Sequence, residues 1–144
     1  MKTTIKQVVE CFKALGNAKV NKLDEAEKIK ILKARKVMRP IAEAYEEFLK
    51  DAQEMFKPEN WDEIQKKTAQ WKEEGEKTSL SEAERAEVNK ALSAYFKSVN
   101  ATVKDELTKE VEIEVEKLKE NSDIKIMEEN DWKIGDLDLI EILL

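Results

Sequence analysis

The chain has no histidine, one cysteine, three glycines and two prolines among its 144 residues. Without histidine there is no Ser-His-Asp or Cys-His nucleophilic scheme and no His-ligated zinc. A lone cysteine excludes an intrachain disulfide framework and a cysteine-cluster metal site. Cys11 has only Lys13 near it in sequence as a basic residue and no imidazole to activate it, so it reads as a bland, partly buried thiol. The glycines stand apart at positions 16, 75 and 135, which leaves no phosphate-cradling loop. No Walker, Rossmann, zinc or EF-hand spacing is present, and no cofactor is expected. The longest apolar run is too short for a membrane span, and residues 1–7 lack the apolar core of a signal peptide. The expectation is a cytoplasmic, non-enzymatic protein.

What the chain does have is charge. Charged residues make up 40%, with a formal net charge of −6. Ala, Glu, Lys, Leu and Arg together account for about half of the residues, the composition of long helices. The charge is polarised. Residues 1–57 carry 13 basic and 9 acidic side chains, whereas residues 105–144 carry 5 basic and 14 acidic. Such asymmetry bears on partners and steering.

The apolar periodicity orders the chain. Ile5, Val8, Val9, Phe12 and Leu15 predict a short first helix, capped by Thr3 or Thr4 and stopped in a left-handed turn at Gly16-Asn17. Asp24 with Glu27 forms a capping-box pattern. From there Ile31, Ala34, Val37, Met38, Ile41, Ala44, Tyr45, Phe48, Leu49 and Ala52 trace one stripe. Its phase is unbroken across Pro40, so a continuous, kinked helix to about Phe56 is expected. Trp61, Ile64, Thr68 and Trp71 mark a narrow seam in an inserted connection, residues 57–80, with a mobile loop at 73–78. Two overlapping capping boxes, Ser79 with Glu82 and Ser81 with Glu84, open a second long helix. Val88, Leu92, Tyr95, Phe96, Val99, Val103 and Leu107 form its seam.

At Val111 the period changes. Residues 111–116 alternate apolar and acidic, a strand pattern, although a helix through Val111, Val115 and Leu118 is the rival reading. Residues 124–127 offer a partner for a small hairpin, and Asp136 can cap a last short helix. The expected fold is mainly α (α+β). It comprises a long antiparallel helical hairpin, short terminal helices and a small β-hairpin, in a single helical domain over residues 1–144. Residues 110–144 supply the acidic strand or hairpin and the C-terminal helix.

Three pieces carry a resemblance: Leu15-Gly16-Asn17-Ala18-Lys19-Val20 closing a short helix, Glu110-Val111-Glu112-Ile113-Glu114-Val115 after a long one, and the terminal Ile134-Gly135-Asp136-Leu137 run to Leu144. In this order they resemble a family of small phage- and prophage-encoded proteins of unknown function. The resemblance covers most of the chain except residues 61–78. It implies a viral or mobile-element origin and a role in phage biology, and it carries no catalytic residues across, none being established for the family. The expected location is cytoplasmic or virion-associated.

Four constellations are candidates for contact. The terminal apolar cluster of Leu137, Ile140, Leu143 and Leu144, with Trp132, is either core or the clasp for a protein partner or a second copy. Lys28, Arg35, Lys36 and Arg39 share a helical face that suits a phosphate backbone or an acidic partner. The competing reading is a solvated face balanced by Glu43, Glu46 and Glu47, and the acidic whole argues against nucleic acid. Glu112, Glu114 and Glu116 present three carboxylates on one face of the strand, as an acid–base or cation site or as a solvent face that discourages aggregation. Trp61, Trp71 and Trp132 are stacking residues or packing anchors. The favoured expectation is an interaction or assembly protein acting through the acidic strand and the apolar helix. The alternative is a nucleic-acid or host-protein modulator using residues 28–39.

Overall fold

A computed structural model describes all 144 residues. Five α-helices, two 3₁₀ segments and two short strands appear, so the protein is mainly α with a small antiparallel sheet. In chain order these are β1 (Lys2–Thr4), α1 (Ile5–Asn17), α2 (Glu25–Met55), α3 (Trp61–Glu74) and a 3₁₀ turn (Gly75–Lys77). Then follow α4 (Glu82–Leu107), β2 (Glu110–Glu112), α5 (Ser122–Asn130) and a C-terminal 3₁₀ segment (Ile134–Leu143). No helix is long and apolar enough to cross a membrane. The chain divides into two compact units, residues 1–48 with 105–144, and residues 49–104.

The first unit brings both ends of the sequence into one core. Val8, Cys11 and Leu15 of α1, Ile31, Ala34 and Met38 of α2, Ile113, Leu118, Ile126, Ile140 and Leu143 are buried together. Thr4 caps α1 reciprocally with Gln7. Met38 is fully buried two residues before Pro40, and α2 runs unbroken through that proline, as the unbroken phase of its stripe requires. Lys13 pairs with Glu46 at 3.0 Å, binding α1 to α2. Burial raises the Cys11 thiol to about 12, so no thiolate is available near neutral pH.

Three local expectations change here. Gly16 and Asn17 are helical, and α1 is followed by Ala18 in extended conformation. Gly16 answers a packing need instead: a Cβ there would lie 3.2 Å from Nη2 of Arg35. The loop after α1 is held by α5. The Asn130 carboxamide donates to Lys19 O at 2.7 Å and accepts its N–H at 2.6 Å, while Glu129 accepts the N–H groups of Asn21 and Lys22. Second, residues 124–127 lie in α5, not in a strand. Asn121 and Asp131 bracket that helix in the left-handed region that Asn and Asp tolerate best among residues with a Cβ. The partner of β2 is β1, in the register Lys2↔Glu112, Thr3↔Val111, Thr4↔Glu110. Third, the Asp24 and Glu27 carboxylates at the start of α2 both reach the 117–119 segment. Asp24 pairs with the Lys119 ammonium, and Glu27 accepts the Lys119 N–H at 2.9 Å.

The second unit is a helical hairpin of near neighbours. α3 and α4 run antiparallel, with Trp61 against Tyr95 (ring centroids 4.5 Å apart), Lys67 among Glu63, Glu84 and Glu87, and Gln70 donating to Ser79 Oγ. Ile64, Val88, Tyr95 and Val99 are buried. Of the two overlapping capping boxes only Ser81 with Glu84 forms. Ser79 donates its N–H to Glu74, closing the turn expected as a loop at 73–78. Phe96 departs from the predicted seam and is exposed.

Candidate functional site

The terminal apolar cluster divides between core and surface. Ile140 and Leu143 are fully buried, and Leu137 and Trp132 pack against the same core. Leu144 is exposed. Asp136 accepts the Lys133 N–H at 2.8 Å, opening the 3₁₀ segment, and Leu118 donates its N–H to Leu143 O at 2.8 Å. Burying a side chain such as Leu143 stabilises by about 1.5–3 kcal/mol. Four of the five residues expected to clasp a partner therefore spend their apolar surface inside this chain.

The basic face is likewise committed in part. The Arg35 guanidinium lies over the Phe12 ring at 4.7 Å, and Arg39 approaches the same ring at 5.9 Å. Lys28 is half-buried, and Lys36 points to solvent. Two arginines stacked on one ring make a packing device for α1 on α2 rather than an open fork for phosphate.

The acidic strand behaves as its alternation requires. Glu110, Glu112, Glu114 and Glu116 are exposed, Ile113 is buried, and Val111 and Val115 are half-buried, so the alternation continues past the end of β2. The amino group of Met1 donates to Ile113 O at 2.7 Å and lies 3.0 Å from Glu112 and 3.6 Å from Glu114. The hydrogen bond to Glu112, then the charges of both carboxylates, raise the pKa of that ammonium. Trp61 is half-buried as an anchor on Tyr95, and Trp71 is half-buried beside a groove of about 390 Å³ between α3 and α4.

One surface was not legible as a site in the sequence. On α2, Ile29, Leu32 and Val37 are exposed, Leu32 to 66%. Val37, but neither Ile29 nor Leu32, lines a groove of about 370 Å³, walled by Lys30, Lys33, Ala34 and Val37 on one side and by Glu114, Val115 and Glu116 on the other. Lys30 is fixed at this rim, 2.9 Å from Glu27 and donating to Lys117 O at 3.2 Å. These contacts, the Lys119 N–H first, hold the Glu27 carboxyl below the usual carboxylate range. Lys33 is free toward solvent. A signal for the surface did exist: Ile29 and Leu32 fall off the phase of the α2 core stripe, and apolar residues out of phase are surface residues.

No protein-family model, curated protein or solved structure matches this chain significantly.

Proposed function

We propose that this chain is a non-catalytic interaction protein that holds a protein partner on the face shared by α2 and the 110–116 segment. The observation that carries the reading is the open groove between α2 and the 114–116 segment, walled by exposed Val37 on a helix that also leaves Ile29 and Leu32 exposed. Single exposed apolar residues are ordinary, whereas several along one helix next to a concavity are the usual mark of a contact surface. The resemblance to small phage- and prophage-encoded proteins supports a mobile-element setting for that partner. The reading shifts the contact surface from the terminal apolar cluster to the helix that the cluster helps to hold in place. Committing Arg35 and Arg39 to Phe12 weighs against the nucleic-acid alternative.

The test is site-specific photocrosslinking in cells of the natural host, with the probe at Leu32, at Val37 or, as controls, at exposed Asn89 and Lys50. One discrete adduct from positions 32 and 37, absent from 50 and 89 and lost in a Lys33→Glu background, is the expected result. Equal labelling at all four positions, or none at 32 and 37, overturns the reading.

A further inference from the structure

The sheet of this protein has two strands only, in the order β1-β2, so β2 keeps one edge without a strand. Which backbone groups lie on that edge follows from the pairing with β1. Met1 and Ile113 exchange both of their hydrogen bonds, and Ile5 donates its N–H to Lys109 O. In an antiparallel pair such closely bonded positions alternate with unbonded ones. The odd-numbered Val111 and Ile113 therefore aim their N–H and C=O groups at β1, as does the Lys109 C=O, while the Lys109 N–H donates to Glu106 O. The even-numbered Glu110, Glu112 and Glu114 aim theirs outward, where no backbone partner meets them. Unpaired strand edges of this kind are templates for a further strand.

The side chains decide which strand fits. On the outer face an incoming strand would meet Glu110, Glu112, Glu114 and Glu116, with Glu114 94% exposed and the Met1 amino group reaching only Glu112 and Glu114. On the inner face it would meet Val115 and the α2 wall of the groove, where Ala34 and Val37 lie between Lys33 and a Lys30 held by Glu27 and Lys117 O. A second copy of the same strand would set glutamates against glutamates, and like charges directly opposite destabilise a pair. We infer that the free edge of β2 accepts, by strand addition, an extended segment of another protein that alternates basic and apolar residues. The basic side chains would face the glutamates and the apolar ones the groove. Main-chain hydrogen bonds supply the affinity and the alternation the specificity. This rests on the interaction reading above and adds the mode of docking and the chemistry of the partner.

The probe is a blocked synthetic peptide, acetyl-Lys-Val-Lys-Val-Lys-Val-Lys-amide, with its Glu-for-Lys counterpart as control. The readout is amide hydrogen exchange of the full chain. Added basic peptide is expected to slow exchange at Glu112 and Glu114, which face outward, while Val111 and Ile113 stay as they were under β1. The acidic peptide is expected to bind roughly tenfold more weakly or less. Glu114→Pro, which removes an outward N–H without touching the β1 pairing, should abolish the protection. Because that variant could misfold, the double reversal Glu112→Lys with Glu114→Lys provides a second arm, expected to prefer the acidic peptide.

Unchanged exchange at Glu112 and Glu114, equal binding of both peptides, or protection of both amides by self-association without peptide overturns the inference. A crosslinked partner at Leu32 whose complex leaves these two amides unprotected also overturns it, and leaves the interaction reading standing. Protected amides with no adduct at Leu32 do the reverse.

Discussion

The two units are built on opposite plans. The first is tied by contacts between residues far apart in sequence: Met1 to Ile113, Lys19 to Asn130, Asn21 and Lys22 to Glu129, and Glu27 to Lys119. The second is tied by contacts within one helical hairpin, Trp61 to Tyr95, Lys67 to Glu84 and Glu87, and Gln70 to Ser79. Loop closure must precede the reward of a distant contact, so the first plan forms more slowly and fails more completely when one tie is lost. The candidate interaction face lies wholly on the first.

That contrast can be broken most forcefully at the C-terminus. Ile140→Ala removes a fully buried side chain and should cost roughly 2–5 kcal/mol. Tryptophan placement allows each unit to be followed separately, since Trp132 belongs to the first and Trp61 and Trp71 to the second. In a Trp61→Phe, Trp71→Phe background, Trp132 fluorescence should report an early denaturation midpoint for the Ile140 variant. An unchanged midpoint would show that the 3₁₀ segment is not part of the first unit's cooperative core.

The companion substitution in the hairpin is Ile64→Ala, also at a fully buried site. The cost should fall near the lower end of the same range, roughly 2–3 kcal/mol, because a two-helix seam collapses onto a vacancy more easily than a core closed from both chain ends. Hydrogen exchange should accelerate within residues 49–104 and stay unchanged at Val8 and Cys11. Acceleration throughout would abolish the distinction between the plans.

A third effect is set by pH. Glu27 titrates below the ordinary carboxylate value in the folded chain, so it contributes stability that is present in full above that ordinary value. The contribution is lost as pH falls through the lowered folded value. Glu27→Gln should therefore lower stability at neutral pH and flatten the acid limb of the first unit's stability curve, with little change in the second. An acid limb as steep as in the parent would refute the anchor.

The smallest expected change is at Gly16. Alanine gains helix propensity of up to about 1 kcal/mol, but its methyl must displace the Arg35 tip from over Phe12. The net shift should stay within about 1 kcal/mol by chemical denaturation. A larger loss would mean that Arg35 is more tightly fixed than its flexible end suggests.

These plans also explain what could be read from the residues. Apolar periodicity located α1, α2 and α4, because each writes its own buried face into its spacing, whereas α3 (Trp61–Glu74) was expected only as an inserted connection with a narrow seam, its other positions being polar. The alternation from Val111 to Glu116 found the second strand for the same reason. The partner of that strand could not be read, since Lys2-Thr3-Thr4 is too short to carry a pattern and its pairing is set by a residue more than a hundred positions away. Ile124 to Met127 looked like a strand because four residues do not separate a period of two from one of 3.6. The αL residues Asn121 and Asp131 were the better signal there. Of the candidate surfaces, the acidic face was legible as a periodic stripe. Of the exposed trio on α2, Ile29 and Leu32 were visible only as residues out of phase, and Val37 was expected in the core stripe and is exposed instead. The clasp residues proved to be core because composition cannot tell an apolar helix that is buried from one that is offered.

Synthesis on the ribosome gives the Leu118–Leu143 tie a further meaning. While the nascent chain grows, α3 and α4 can find each other as soon as both have emerged. Val8, Cys11 and Leu15 must wait, uncovered, for Ile140 and Leu143 to be made and to emerge. Translation therefore opens a window in which the first helix shows its apolar stripe to the cell, a vulnerability to aggregation and a foothold for chaperones.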